Sequence, residues 1–232
     1  TSPARIGPYT VVNKLGAGGQ GAVYLALAPD GRQVAVKVLH GEIQSGERDP
    51  FMREAAAARR VPSFSTARVL DVGVDGDVGY IVSEYVPGVS LQRKVSESGP
   101  LDGDSVIRLA IATSAALAAI HGAGVVHRDF KPANVLLGPD GPRVIDFGIA
   151  KALDQVTLTV GIKGTPAYMS PEQVSGERVG PESDVFSWAS TMIYAATGRV
   201  AFQAATTYEV CRRILEHQPD LSGLPPALVR PV

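Results

Sequence analysis

The residues best suited to chemistry lie in the segment 127–134, which reads HRDFKPAN. It places the carboxylate of Asp129, the ammonium group of Lys131 and the amide of Asn134 within one short stretch. An apolar helical pattern precedes the segment, and a short apolar run at residues 135–137 follows it, so we expect a loop held between two apolar elements. Charged residues are also common in ordinary loops. The segment alone therefore leaves a catalytic loop and an exposed polar loop as alternatives.

A glycine-rich stretch at residues 16–23, GAGGQGAV, points to phosphate binding. The spacing of Gly16, Gly18 and Gly21 lets backbone N–H groups approach phosphate oxygens, since no Cβ stands in the way. A dinucleotide-binding fingerprint needs a helix directly after the glycines, whereas a strand pattern follows here, so the Rossmann interpretation fails. A phosphate-binding hairpin and an ordinary glycine-rich turn remain as alternatives.

Lys37 lies in the middle of an apolar strand pattern, VAVKVL, at residues 34–39. Strand alternation turns its side chain to the same face as Ala35 and Leu39, so we expect it to point inward beneath the glycine stretch. A buried ammonium group needs a partner because an unpaired buried charge is costly. Glu54, in the middle of the next helical pattern, is the predicted partner, and the pair would form a clamp for phosphate charge.

Asp146 ends a short strand pattern and is followed by Phe147 and Gly148. A simple turn would have the same sequence, but a strand hairpin separates Asp146 from Asn134 and would bring the two side chains together. A carboxylate and an amide oxygen are hard ligands that suit Mg²⁺ bound with phosphates. The pair therefore predicts a cation site that is filled together with a nucleotide.

The elements that position these residues divide the chain into two parts. Short patterns rich in Val and Tyr predict five antiparallel strands with one helix among them, and beyond residues 85–88 apolar residues recur at helical spacing. We expect an α+β protein with a leader at 1–8, a small five-stranded antiparallel β lobe at 9–85 and a larger, mainly helical lobe at 86–232. The predicted strands are 9–15, 22–28, 33–39, 67–74, 78–85, 135–137 and 143–145, and the predicted helices are 48–60, 90–97, 103–123, 182–197 and 206–217.

Composition narrows the class of protein. With 232 residues, 45% of them hydrophobic, the chain can bury a sizeable core. Its 22 Lys and Arg residues nearly balance 23 Asp and Glu residues, which argues against nucleic acid as a partner. The single cysteine, Cys211, excludes an internal disulfide and fits a cytoplasmic protein. The most apolar window, 109–120, is too short to span a bilayer, so no membrane segment is expected in this chain.

Taken in order, these motifs resemble the signature of the protein kinase catalytic domain. The resemblance covers residues 9 to about 228 and adds the tripeptide Ser-Pro-Glu at 170–172. It implies a two-lobed protein-kinase-like fold that binds ATP with Mg²⁺, or Mn²⁺ in its place, and phosphorylates Ser or Thr of protein substrates. Lys131 and the Gly-Thr-Pro segment at 164–166 resemble the Ser/Thr rather than the Tyr branch of the family. The Ala- and Val-rich composition and the segment 156–159 are similar to bacterial eukaryotic-like Ser/Thr kinases.

The resemblance implies a role for each matched residue. Asp129 would orient the substrate hydroxyl and accept its proton, and Lys131 would steady the transferred phosphoryl group. Asn134 and Asp146 would hold the metal, while Lys37, fixed by Glu54, would bind the α- and β-phosphates. The residues implied in ATP binding are Leu15, Gly16, Gly18, Gly21, Val23, Ala35, Lys37, Glu84, Val86 and Leu136. Ser83 lies at the family's gatekeeper position, and its small side chain predicts room behind the adenine.

The resemblance also implies regulation through the segment that begins at Phe147 and Gly148. Thr157 and Thr159 match an autophosphorylation pair whose phosphate Arg128 would grip, and exposed loop threonines are the alternative interpretation. Thr165 would contact Asp129, and Asp184 would hydrogen-bond the backbone of the loop at 127–129. Autophosphorylation in trans would use a homodimer.

Two functions are compatible with these motifs: an active Ser/Thr kinase and a kinase-fold scaffold that binds nucleotide without transfer. Every catalytic position is filled, which favours the active kinase. The family's domain usually continues for two more helices, so we expect the C-terminal lobe to lack them, together with the arginine that would pair with Glu172. A membrane anchor elsewhere in a longer protein stays open.

Overall fold

An antiparallel sheet and a mainly helical part, joined near residues 85–88, make up the protein. This architecture is taken from a computed structural model and is described for residues 3–18, 21–41, 43, 48–147 and 166–230. It agrees with the predicted two-lobed α+β fold.

The N-terminal lobe contains a six-stranded sheet with the order β1-β2-β3-β4-β6-β5, in which all neighbours are antiparallel. Its strands are β1 (Arg5–Ile6), β2 (Tyr9–Gly18), β3 (Gly21–Leu27), β4 (Gln33–Leu39), β5 (Val69–Asp75) and β6 (Val78–Glu84). Alternation in β4 sends Val34 and Val36 into one hydrophobic cluster and Leu39 into another, so both faces of the strand are covered. Strands β2 to β6 confirm the five predicted strands to within a few residues.

The first strand was not expected, because residues 1–8 were predicted to be a leader without structure. Arg5 pairs with Thr10 and Ile6 with Tyr9, and Ile6 is only 5% exposed. The isoleucine packs in the cluster that also contains Tyr9 and Tyr80 on the outer face of the sheet. A single buried side chain and a two-residue pairing leave no periodic pattern in the sequence, and the predicted five strands are therefore corrected to six.

Helix α1 (Arg48–Ala58) lies between β4 and β5 and holds the half-buried side chain of Glu54. Its buried residues, Phe51, Ala55 and Ala58, recur at helical spacing and face the core. The helix ends shortly before Pro62, as the sequence predicts.

The C-terminal lobe combines helices with a small three-stranded sheet of order β7-β8-β9. Its elements are β7 (Val89–Ser90), α2 (Leu91–Ser98), α3 (Gly103–Gly122), β8 (Val135–Gly138), β9 (Gly141–Val144), α4 (Pro171–Ser175), α5 (Pro181–Thr197), α6 (Thr207–Glu216) and α7 (Pro226–Val229). Ser90 caps α2 and Asp102 caps α3 through side-chain oxygens that accept backbone N–H groups. The β7 pairing was missed because two residues carry no alternation.

Helices α3 and α5 form the centre of this lobe. Trp188 on α5 donates its indole N–H to Thr113 Oγ1 on α3 at 2.9 Å, and Met192 on α5 is fully buried. Among the described residues, α3 alone is long and apolar enough to cross a membrane by length and composition, which corrects the expectation that this apolar stretch is too short. Its Val106, Leu109 and Ile120 lie in the core cluster, which is the usual position of such a helix in a folded domain.

Residues 63–67, between α1 and β5, connect the two lobes. The N–H of Val144 donates to Ser65 O at 2.9 Å, and its carbonyl accepts from Ala67 N–H at 3.0 Å. The neighbouring Arg143 donates from Nη1 to the carbonyls of Ser63 and Thr66, at 2.6 and 3.0 Å. The end of β9, which leads to Asp146, is thereby fixed to the N-terminal lobe.

Candidate active site

Helices α3 and α5 position the loop at 127–134 through the buried carboxylate of Asp184. This side chain is 1% exposed and accepts the backbone N–H groups of His127 and Arg128 at 2.8 and 2.9 Å. The predicted contact of Asp184 with the loop is confirmed. Arg128 adopts a left-handed backbone with φ of 65°, which is rare for a side chain with a Cβ and shows that its surroundings hold it there.

The imidazole of His121, at the end of α3, is a further partner of Asp184. Its Nε2 lies 2.7 Å from Asp184 Oδ2. Burial alone would raise the pKa of Asp184, but the hydrogen bond from His121 and the two backbone amides outweigh it and lower the pKa. The carboxylate is therefore kept charged. The sequence placed His121 at a helix end and gave no sign of this contact.

His127 is buried and holds the loop against the start of the segment that follows β9. Its Nε2 donates to the carbonyl of Ile145 at 2.9 Å, and its Nδ1 accepts the N–H of Asp129 at 3.2 Å. Burial lowers the pKa of His127, so the ring is neutral, as these two roles require.

Asp129, Lys131 and Asn134 meet within the loop as the sequence predicts. Lys131 Nζ lies 3.1 Å from Asp129 Oδ2. Asn134 Nδ2 donates to the backbone carbonyl of Asp129 at 2.8 Å, and the backbone carbonyl of Asn134 accepts from Ile145 N–H at 3.0 Å. Asn134 thus links the loop to the residue beside Asp146 and is itself 6% exposed.

Lys37 points inward with 8% exposure, as predicted, and its ammonium group lies 3.0 Å from Asp146 Oδ2. Asp146 has a φ of 61°, so it shares with Arg128 a left-handed backbone that is rare outside glycine and occurs here at a residue with a proposed chemical role. The ion pair joins the sheet of the N-terminal lobe to the end of the C-terminal hairpin.

The ion-pair partner of Glu54 is Arg128 and differs from the predicted partner, Lys37. Glu54 Oε1 lies 3.8 Å from Arg128 Nη1, so the helix α1 directs this carboxylate toward the loop at 127–134. Asp146 occupies the position beside Lys37 instead. The predicted Lys37–Glu54 pair is therefore corrected for this conformation, because strand alternation sets the face of Lys37 but not the position of α1 against the sheet.

The residues with an implied nucleotide role lie on adjacent strands. In the ladder, Gly16 pairs with Val23, Val23 with Lys37, and Ala35 with Ser83. The other members lie on β2 (Leu15 and Gly18), at the start of β3 (Gly21), at the end of β6 (Glu84), in the connection that follows (Val86) and on β8 (Leu136).

The connection between the lobes passes closely over β8. A Cβ on Gly88 would lie 2.3 Å from Leu137 O, and its φ of 147° is in the range that favours glycine. Ser83 lines a cavity of about 30 Å³ with Lys37 and Phe147, which is about the volume of one water molecule. The predicted room behind the adenine stays a prediction.

The remaining predicted residues divide into two groups. Glu172, at the start of α4, accepts a hydrogen bond from Ser183 Oγ at 3.2 Å, and its pKa is lowered chiefly by its own backbone N–H. Ser183 is a partner that the sequence did not suggest. Gly148, Thr157, Thr159 and Thr165 lie outside the described residues.

The fold and this loop define a protein kinase domain. A family model described as the protein kinase domain matches residues 9–223, and the chain belongs to that family. It is 49% identical over 227 residues to the probable serine/threonine-protein kinase PkwA of Thermomonospora curvata, covering 96% of this chain and 31% of the relative. It is 48% identical over 231 residues to the serine/threonine-protein kinase AfsK of Streptomyces coelicolor, covering 97% of this chain and 29% of that protein. The chain thus spans about a third of the length of these relatives.

Membership of this family implies ATP and a divalent metal ion, and the residues fit both. Because Asn134 uses its amide nitrogen on the carbonyl of Asp129, its amide oxygen is left to serve as a hard ligand, and its backbone carbonyl is bonded to Ile145, the residue before the carboxylate-bearing Asp146. No group of three or more His, Cys, Asp or Glu side chains in the described part of the chain could hold a metal by itself. A metal bound through few protein ligands, with phosphate oxygens completing its shell, matches this donor set.

Proposed function

We propose that this domain is an ATP- and Mg²⁺-dependent protein kinase that transfers the γ-phosphoryl group to Ser or Thr of proteins. The observation that carries the proposal is the loop geometry: Asp129 and Lys131 lie 3.1 Å apart on a loop whose backbone Asp184 fixes. Mn²⁺ would substitute for Mg²⁺ because both accept carboxylate and amide oxygens.

The chain's own residues have distinct tasks in this reaction. Asp129 accepts the proton of the substrate hydroxyl and orients that oxygen for attack, and Lys131 balances charge on the transferred group. Lys37 would hold the nucleotide phosphates, and its pairing with Asp146 keeps the ammonium group beside a residue that would hold the cation. Asn134 and Asp146 would hold the cation, which neutralises phosphate charge when bound.

A radiolabelled-ATP assay with a generic protein substrate tests the proposal. Asp129→Asn should reduce transfer by about 100-fold or more, since general-base catalysis contributes about 10²–10⁴-fold. Asp140→Asn makes the same change at an exposed carboxylate on the β8–β9 turn and should retain wild-type transfer. Equal, background-level signals from all three proteins, with nucleotide binding intact, would instead favour the scaffold.

Autophosphorylation extends the proposal. We expect phosphate on Thr157 or Thr159 after incubation with Mg·ATP, because a phosphorylated threonine would offer charge to Arg128, which lies beside Asp129 in sequence. Phosphopeptide mass spectrometry of wild type and Asp129→Asn tests this, and absence of phosphate from both threonines in an active wild type would contradict it. Transfer in trans, and hence a transient homodimer, predicts that the rate per molecule rises with protein concentration.

The proposed location is the cytosolic side of the cell, where ATP is available. The single cysteine agrees with a reducing compartment, and the near balance of charges gives no reason to expect nucleic acid as a partner.

A further inference from the structure

The carbonyl of Arg128 and the N-terminus of helix α4 meet at one side chain, Gln173. Its Nε2 donates to Arg128 O at 2.7 Å, and its Oε1 accepts from Ser170 N–H at 3.0 Å. Ser170 Oγ in turn accepts the N–H of Gln173 at 3.3 Å, which completes a capping box. The two ends of one amide group therefore serve two different segments: the acceptor caps its own helix, and the donor contacts the catalytic loop.

The donor end holds a peptide unit that leads directly into Asp129. The carbonyl of Arg128 and the N–H of Asp129 belong to the same planar unit. Gln173 binds the carbonyl, while the N–H donates to His127 Nδ1 at 3.2 Å. With both polar atoms held, the plane cannot rotate without breaking a hydrogen bond, so its orientation determines where the Asp129 side chain points.

Arg128 gives this contact additional importance. Its left-handed backbone, with φ of 65°, is strained and persists only because surrounding groups hold it. Asp184 binds the Arg128 N–H at 2.9 Å and Gln173 binds the Arg128 carbonyl, so the residue is fixed from two helices. Capping alone does not require glutamine at this position, because glutamate accepts the same N–H in a capping box.

We propose that Gln173 is a positioning residue for phosphoryl transfer, which holds the Arg128–Asp129 peptide unit and couples it to helix α4. This inference rests on the proposed kinase function. Gln173 has no direct role in the chemistry; it acts through the orientation of Asp129.

The substitution Gln173→Glu separates the two ends of the amide. A carboxylate still accepts the Ser170 N–H and adds a favourable negative charge at the helix N-terminus, which offsets part of its repulsion from the Arg128 carbonyl, so the melting temperature should fall less than in Gln173→Leu. It offers no hydrogen to the Arg128 carbonyl, so kcat should fall about tenfold, the size expected for one lost hydrogen bond. KM for Mg·ATP should stay within about twofold, because the nucleotide residues lie on other elements. A wild-type kcat in Gln173→Glu would reduce Gln173 to a helix cap and overturn the proposal.

Two further variants control for folding. Gln173→Leu removes both hydrogen bonds and should lower both the melting temperature and kcat, giving a second measurement should the glutamate variant fail to fold. Asp102→Ala removes the cap of α3, where Asp102 accepts Ser105 N–H at 2.9 Å, and should lower the melting temperature with little change in kcat. If kcat falls equally in Asp102→Ala and Gln173→Leu, the effect is general destabilisation and the proposal is wrong.

Amide hydrogen exchange in the nucleotide-free protein tests the contact without measuring activity. The Asp129 N–H should exchange about tenfold faster in Gln173→Glu than in wild type, because the peptide unit is no longer fixed at its carbonyl. Unchanged exchange would overturn the proposal. Faster exchange in a protein whose wild type transfers no phosphate would instead reject the proposed function while leaving the positioning contact in place.

Discussion

Asp184→Asn is expected to destabilise the domain strongly, although the change removes a single charge. The carboxylate accepts three hydrogen bonds, from His121 Nε2 and from the N–H groups of His127 and Arg128, at 2.7, 2.8 and 2.9 Å. An asparagine amide has only one oxygen, so its NH₂ group would face a buried donor. Breaking a buried charged network on one side costs about 3 kcal/mol or more. For a chain of this length that corresponds to a fall in melting temperature of about 6–12 °C.

The loss of stability caused by Asp184→Asn should also depend on pH. The pKa of Asp184 in the folded protein is lowered, so the folded state binds a proton less readily than the unfolded chain does. The stabilisation is therefore fully present above the ordinary aspartate pKa of about 3.9 and is lost as pH falls through the folded value. The difference in unfolding free energy between wild type and Asp184→Asn should be constant near neutral pH and shrink in acid.

Thermal and urea unfolding followed by circular dichroism provide the measurement, with Glu182→Gln as the matched control. Glu182 is an exposed acid in the first turn of the same helix, and neutralising it should cost no more than about 1 kcal/mol. Melting temperatures within about 2 °C of each other for the two variants, or a difference independent of pH down to acid unfolding, would refute the assigned role of Asp184.

Three other substitutions have expected outcomes. Gly88→Ala would place a Cβ 2.3 Å from the carbonyl oxygen of Leu137, so we expect a lower melting temperature and weaker ATP-analogue binding in calorimetry; unchanged affinity would contradict the close approach. Arg143→Ala removes two hydrogen bonds between the lobes, at 2.6 and 3.0 Å, and should raise KM for ATP more than Arg143→Lys does. Equal KM values for the two variants would show that these hydrogen bonds are not needed for ATP binding. Ser83→Met places a larger side chain where we predict room behind the adenine and should weaken bulky ATP-competitive inhibitors by about tenfold, whereas equal inhibition of the variant and the wild type would contradict that room.

Much of the fold was predictable because it depends on short-range patterns. Alternating Val and Tyr residues located β2 to β6, and the helical spacing of apolar residues located α3 and α5, since burial of one face leaves a periodic signal. The two-residue strands left no such signal. Ile6 was assigned to a leader for that reason, although its side chain closes the outer face of the sheet.

The sequence by itself determined which chemical groups the domain offers: Asp129, Lys131 and Asn134 on one loop, Lys37 on an inward strand face and Asp146 at a strand end. These assignments depend on residue type and local spacing, which the chain carries within a few residues. Only the tertiary structure decided which of them touch. It placed Asp146 beside Lys37 and directed Glu54 toward Arg128. It also brought Gln173 to a loop 45 residues earlier, because such contacts depend on how helices pack against one another and no local pattern encodes that packing.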